Sequence, residues 1–334
     1  MTSSTELRGR ENLAGGSPRG RLPDFFIVGH PKCGTTALYE MLNSHPQIFI
    51  PMKEPRFFAQ ELRSRSRRIA PSSAPSTLEG YLSLFAPAGP EQRAGEATPM
   101  YLRSLTAAGL IAQVQPDARI IAILREPARF LRSFHLQCAY NHIETQRDFR
   151  KAIALESARR EGRRIPRFSQ SPRTLLYSDH VRYVEQLRRY HAVFPPEQVL
   201  VLIYEDFRRD NETTVRRVLR FLDVDDTLPI EPAESEPLPA VRFETLHQGA
   251  RLASIVRRNR AATPIVRTVN RIVPSRPSGG RLRAGWRRVV YAEPSPPDEE
   301  FMRELRARFK PEVQALSAYL GRDLVSQWGY DDVG

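Results

Sequence analysis

Apolar residues fall in three short unbroken blocks, Phe25 to Val28, Ile120 to Leu124 and Val199 to Ile203. Runs of strand length without polar alternation mark strands covered on both faces, as in a parallel sheet packed between helices. A helical pattern follows each block. Thr35 to Asn43 carries Ala37, Leu38, Met41 and Leu42 at helical spacing, and Asn43-Ser-His-Pro46 stops it. Pro127 suits the first turn of a second helix, and Glu212 to Leu222 predicts a third. Two further helices are expected: Ser178 to Phe194, with Val181, Val184, Leu187 and Tyr190 three residues apart, and Glu299 to Leu320. Strands alternating with helices predict an α/β fold, a three-layer sandwich with a central parallel sheet. Residues 228–297 are proline-rich and predict little regular order.

The candidate chemistry begins where the first block ends. Gly29-His-Pro-Lys-Cys-Gly34 is a turn set by two glycines and a proline, with helix from Thr35. A buried strand, a tight glycine turn and a helix start together make an anion site. The first amides of the helix have no internal partners and face the loop. The spacing of the glycines is that of the P-loop of nucleoside triphosphate enzymes, whose lysine follows the second glycine. Here Thr35 takes that place, and Lys32 reaches its anion from inside the loop. A second basic group, Arg125, stands at the carboxyl end of the next long apolar block, where open α/β sheets bind ligands. Ser133 follows on the adjoining helix, and a guanidinium with a hydroxyl suits phosphate oxygens. In Met52-Lys-Glu-Pro-Arg-Phe-Phe58 an acid precedes two aromatic rings. Apolar neighbours raise a carboxyl pKa toward the range of a general base. Glu54 is the candidate base, and its alternative role is a salt bridge with Lys53 or Arg56.

Pro31-Lys-Cys-Gly-Thr-Thr36 resembles the Pro-Lys-Ser-Gly-Thr-Thr loop of sulfotransferases that use 3′-phosphoadenosine 5′-phosphosulfate (PAPS), with Cys33 in place of serine. The resemblance implies that Lys32, Cys33, Gly34, Thr35 and Thr36 hold the 5′-phosphosulfate end of the donor. Arg125, with Ser133 eight residues on, is similar to the signature that binds the donor's 3′-phosphate. Lys53-Glu54 with Phe57-Phe58 resembles the glycan-modifying branch, in which the glutamate deprotonates the acceptor. Gly95-Glu-Ala-Thr-Pro-Met-Tyr101 resembles a segment along the acceptor cleft, which makes Glu96, Thr98 and Tyr101 candidate substrate contacts. A C-terminal donor-covering loop implies Arg281 and Arg283 as further 3′-phosphate ligands, with Trp286 nearby. Tyr204-Glu-Asp-Phe207, in which Glu205 and Asp206 read as turn and capping groups, and Gly321-Arg-Asp-Leu with Trp328 also resemble family segments. The likeness covers roughly residues 24–330, read as one domain after a disordered tail at 1–23. It implies in-line transfer of a sulfuryl group to a hydroxyl or amine, of a carbohydrate or glycolipid among other acceptors, with PAPS as co-substrate and no metal.

Composition narrows the setting. The net charge of +13 comes from 51 basic residues, of which only Lys32, Lys53, Lys151 and Lys310 are lysine. Such a charge suits nucleic acid, an acidic membrane or a polyanionic substrate. No ladder of aromatic positions among the arginines supports single-strand binding, so no nucleic-acid partner is expected. No run approaches the ~18 apolar residues of a membrane span, and residues 1–23 lack the apolar stretch of a signal peptide. A soluble cytoplasmic protein is expected. Two distant cysteines, Cys33 and Cys138, offer neither a disulfide framework nor a zinc site. Cys33 reads as a tolerated loop residue, although a place beside Lys32 at a helix start is one that can lower a thiol pKa. The competing readings are a P-loop kinase or NTPase, which needs an acid for magnesium at a strand end, and a non-catalytic polyanion-binding protein.

Overall fold

The computed structural model describes residues 20–62, 75–166, 169, 171–231, 240–241, 291–292 and 294–333. The tail up to residue 19, most of the basic stretch at 61–76, and Arg281, Arg283 and Trp286 lie outside the described residues.

The apolar blocks are strands. β1 (Phe25–Gly29) is buried along its whole length, and β4 (Arg119–Leu124) and β5 (Val199–Ile203) lie beside it in the order β2-β3-β1-β4-β5. β2 (Ile48–Phe49) and β3 (Arg93–Ala97) complete the sheet, and every pairing in it is parallel. Phe25 stands opposite Gly95 on one side and Arg119 on the other, so β1 is central.

The connections place the helices. From β1 the chain crosses through α1 (Thr35–Asn43) to β2 on one side; the short α2 (Leu78–Leu82) lies between β2 and β3, and from β3 the chain returns across β1 through α3 (Ala107–Val114) to β4. Right-handed crossovers in opposite directions put their helices on opposite faces. Contacts agree: α1 packs on α10 (Asn211–Phe221), whereas α3 packs on α8 (Tyr183–His191). α4 (Pro127–Tyr140) and α8 also meet the long α11 (Glu299–Leu320). Such a reversal at β1 leaves a crevice beyond its carboxyl end, where open sheets bind ligands. Shorter helices α5 (Phe149–Ala154), α6 (Glu156–Arg160), α7 (Tyr177–His180), α9 (Tyr204–Arg209) and α12 (Leu324–Trp328) fill the corners.

Two expectations change. The helix expected over 178–194 is two pieces, α7 and α8, broken at Val181 and Arg182. Residues spaced by three fall about 60° behind a 3.6-residue helix at each step. In one unbroken helix Val181 and Tyr190 would therefore point about 180° apart, yet both are buried. The break resets the phase. In the stretch expected to be irregular, β6 (Ala240–Val241) pairs antiparallel with β7 (Tyr291–Ala292). Among the described residues no helix is long and apolar enough to cross a membrane.

Candidate active site

The loop after β1 is built to expose amides. Cys33 N–H closes a turn on the His30 carbonyl at 3.3 Å, and Gly34 takes the helix-start position with φ 86°. A Cβ on Gly34 would lie 2.9 Å from the Tyr204 ring, so both the backbone angle and the space require glycine. No side chain among the described residues caps α1. Its first N–H groups are thus left for a ligand at the carboxyl edge of the sheet.

Positive charge gathers around those amides. Lys32 itself has φ 70°, in the left-handed region that costs a non-glycine residue energy and recurs at functional sites. Burial, followed by the charges of Arg125 and Lys53, lowers the Lys32 pKa. The Arg125 guanidinium donates to the Lys32 carbonyl at 2.7 Å and stacks over the Tyr204 ring at 4.5 Å. Its Nε is buried and has no partner among the described residues. A buried donor on a cation beside uncapped helix amides is a donor set suited to an anion. Ser133 is half-buried on α4, two turns along from the Arg125 corner.

Glu54 enters from β3's side. Residue 53 bridges to Ala97, and Glu54 N–H donates to the Ala97 carbonyl at 2.9 Å, which places the segment at the carboxyl edge next to β1. Lys53 Nζ bonds the Thr36 hydroxyl in the first turn of α1, joining this segment to the loop. Sequence reading passed over Lys53 except as a neighbour of Glu54, although a second lysine in a chain with four was the available signal. Glu54, with φ 58°, is also left-handed. Its Oε2 accepts from Arg56 Nε at 3.1 Å and also from the other end of that guanidinium, while Oε1 has no partner among the described residues. The expected apolar setting is not the one found. Phe57 stacks on Tyr81 and Phe58 packs edge-on against Phe26, both in the core, while the Glu54 side chain is 30% exposed beside its arginine. Glu54 thus makes the salt bridge with Arg56 that the sequence offered as its alternative role.

Three further expectations are corrected. Glu96, Thr98 and Tyr101 are at most 1% exposed, and so face the interior instead of an acceptor. Glu96 accepts from the Tyr81 hydroxyl and from Thr98 Oγ1 at 2.6 Å, and Tyr101 Oη accepts from Phe58 N–H at 3.1 Å. Their work is to seat the Glu54 segment: Thr98 Oγ1 also lies 3.4 Å from Arg56 N–H. The Cys33 thiol is fully buried, and burial pushes its pKa up to about 12, against the lowered value its neighbours suggested. Glu205 and Asp206 stand in the first turn of α9 without being its N-cap residue, which is Ile203. Glu205 accepts from Glu126 N–H and Trp328 Nε1, and Asp206 pairs with Arg322 at 2.6 Å. His135, expected to be packed, lies between the Tyr177 hydroxyl and the Arg147 carbonyl.

One buried group beside the loop was not anticipated. His30 is fully buried against Phe130, His180 and Tyr183, and burial lowers its pKa to about 3 despite a 2.8 Å bond between Nε2 and Gln186 Oε1. It is a neutral prop beneath the glycine turn.

With this geometry in view, comparison with known proteins gives a consistent answer. The profile of the Sulfotransferase family matches residues 23–227, which contain the glycine loop, Glu54 and Arg125. Human carbohydrate sulfotransferase 15 is 27% identical over 256 residues, 61% of this chain and 44% of that protein. Human heparan sulfate glucosamine 3-O-sulfotransferase 6 is 35% identical over 117 residues, 34% of this chain and 30% of that protein. The chain thus matches less than half the length of these curated relatives. The crystal structure of a sulfotransferase from Alicyclobacillus acidocaldarius superposes with a TM-score of 0.63 at 27% identity, covering 92% of this chain and 99% of that one. The chain belongs to the Sulfotransferase family.

Proposed function

We propose that this protein transfers a sulfuryl group from PAPS to a hydroxyl or amine of an acceptor. The observation that carries the reading is the start of α1, uncapped among the described residues, with Lys32, Lys53 and Arg125 around it and with Arg125 Nε buried and unpartnered among those same residues. The amides of residues 34–36 and Lys32 suit the 5′-phosphosulfate, and Arg125 with Ser133 suits the 3′-phosphate. Glu54, through Oε1, takes the proton of the acceptor hydroxyl or amine as its oxygen or nitrogen attacks sulfur. The bond from sulfur to the bridging oxygen breaks, and Lys32 neutralises the charge that grows on that oxygen. A sulfuryl group carries less charge than a phosphoryl group, so fixed cations and amides are adequate donors. The named activities of the carbohydrate and heparan sulfate relatives support a sugar acceptor, and the left-handed, arginine-held Glu54 is the group that would meet it.

Thermal melting in EDTA with 3′-phosphoadenosine 5′-phosphate, beside adenosine 5′-phosphate and ATP with magnesium, tests the donor. A ligand at a hundred times its dissociation constant adds about 2.7 kcal/mol. A shift with the bisphosphate in EDTA is expected. A shift only with ATP and magnesium would move the protein to the kinase reading.

A further inference from the structure

The Arg125–Glu126 peptide is held from every side, and the last turns of the chain supply two of the holds. The Tyr183 hydroxyl donates to the Arg125 carbonyl at 2.8 Å. On the other edge of the same peptide plane, Glu126 N–H donates to Glu205 Oε1 at 3.3 Å, and Glu205 Oε2 accepts from Trp328 Nε1 at 3.1 Å. The Glu126 carboxylate, 1% exposed, accepts from Ala128 and Arg129 N–H and from the Tyr330 hydroxyl at 2.5 Å. Glu205 adjoins Tyr204, the ring on which the Arg125 guanidinium rests.

The C-terminal segment is itself anchored. Asp323 caps α12 at Ser326 N–H, Gly329 turns the chain at φ 69°, and Tyr330 N–H returns to the Val325 carbonyl at 2.9 Å. Lys310 of α11 holds the Val333 carbonyl at 2.7 Å, and Gln327 and Arg322 bond Asp206. Trp328 and Tyr330 are nearly fully buried, at 6% and 0% exposed. A buried tryptophan N–H aimed at the half-buried Glu205 carboxylate and a buried tyrosine O–H aimed at the buried Glu126 carboxylate are costly without their partners, which fixes both in one geometry.

We propose that Trp328 and Tyr330 are positioning residues for Arg125: the chain end sets the angle at which the guanidinium meets the donor, by fixing Glu205 and Glu126 on either side of it. The inference rests on the donor reading given above. Among the described residues Arg125 makes one side-chain hydrogen bond, to the Lys32 carbonyl, so its aim there depends on its peptide and on Tyr204. Both are tied to the C-terminal turn.

The full chain and its Trp328→Phe and Tyr330→Phe variants would be titrated with 3′-phosphoadenosine 5′-phosphate by calorimetry in EDTA, each also in an Arg125→Ala background. Tyr319→Phe is the control, because it removes a comparable 2.6 Å bond, to His191, from the same C-terminal region away from Arg125. The single variants should weaken binding roughly five- to tenfold, about the net worth of one ordinary hydrogen bond, because the loss reaches the donor only through Arg125. Combined with Arg125→Ala they should add less than twofold, since effects passing through one group are not additive. Tyr319→Phe should bind as the unaltered chain does. Tyr330→Phe, which loses one oxygen, keeps the test decisive should Trp328→Phe fold poorly. Unaltered affinity in Tyr330→Phe, full additivity with Arg125→Ala, or an equal loss in Tyr319→Phe would each overturn the proposal while the donor reading stands. Failure of the unaltered chain to bind would overturn both.

Discussion

α1 and α4 leave neighbouring strands at the same edge of the sheet, yet their first turns are opposites. At α4 the chain supplies its own anion: Glu126 accepts from Ala128 N–H at 2.9 Å and Arg129 N–H at 2.7 Å. At α1 the helix-start residue is Gly34, no side chain accepts, and the nearest charged groups are cations. Helix starts attract negative charge through free amides and the helix dipole. A fold that satisfies one and leaves its neighbour open, while burying Lys32 and Lys53 enough to lower both pKa values, has reserved the open one. The difference also explains a division of labour. Glu126 makes α4 rigid, so Arg125 just before it can be held still; the α1 loop is made of backbone that a ligand completes.

The sharpest way to break this contrast is Gly34→Ala. The methyl group would sit 2.9 Å from Tyr204 at φ 86°, pushing the ring under Arg125 as well as straining the turn. Stabilisation by 3′-phosphoadenosine 5′-phosphate should vanish, and a normal melting shift would show that the loop is not the cradle. Lys32→Ala leaves the amides in place but removes the cation nearest the leaving group. Turnover should fall about 10²- to 10³-fold, with bisphosphate affinity changed much less. Glu54→Gln should behave alike, and normal turnover in it would remove Glu54 as the base. Arg125→Ala attacks the other side of the comparison: loss of a charged hydrogen-bonding group costs about 2–3 kcal/mol. The bisphosphate should bind on the order of 30- to 100-fold more weakly, whereas adenosine 5′-phosphate, lacking the 3′-phosphate, should bind nearly as before.

The open helix start was legible in the sequence because strand, glycine turn and helix are local patterns. β1, α1 and the 22 residues of α11 lie where hydrophobic periodicity puts them. What depends on distant chain was hidden. Glu54's proximity to Phe57 and Phe58 suggested an apolar setting, but left-handed backbone at residues 54 and 56 turns its carboxylate to Arg56 while the rings enter the core. Glu96, Thr98 and Tyr101 looked like cleft residues. Their burial follows from the placement of Tyr81 and Phe58 over β3, which no spacing within residues 95–101 reveals. The clamp of Glu205 by Trp328 joins residues 123 positions apart, and a sequence read forward offers only a generic acid after a strand.

His30 gives a smaller and pH-dependent way to probe the α1 loop. Folded, its imidazole stays neutral down to about pH 3 because burial opposes the charge, and His180 is lowered for the same reason. Unfolded imidazoles take up protons below about pH 6.5. The unfolded state therefore binds more protons between those values, and stability should be complete above pH 6.5 and decline as the pH falls toward 3. Each such histidine contributes about 1.4 kcal/mol per pH unit in that window. Urea melts at pH 7.5 and 5.5 should show the decline, and His30→Asn should make it shallower. An equal slope in the variant would mean that His30 charges in the folded protein.

The smallest expected effect concerns the one departure from the family's loop. Cys33 stands where the resemblance has serine, and its side chain is fully buried. The loop grips with backbone, so Cys33→Ser should leave bisphosphate affinity within about twofold while costing stability by roughly 1 kcal/mol, because a buried hydroxyl needs a partner that a thiol does not. The thiol's raised pKa, about 12, adds a chemical test. Iodoacetamide at pH 8 should leave Cys33 unmodified in the folded protein, and adding the bisphosphate should change nothing. In urea both Cys33 and Cys138 should react. Fast alkylation of native Cys33, slowed by the bisphosphate, would put the thiolate at the open helix start, and the contrast between α1 and α4 would then rest on the side chain of residue 33 as well as on backbone.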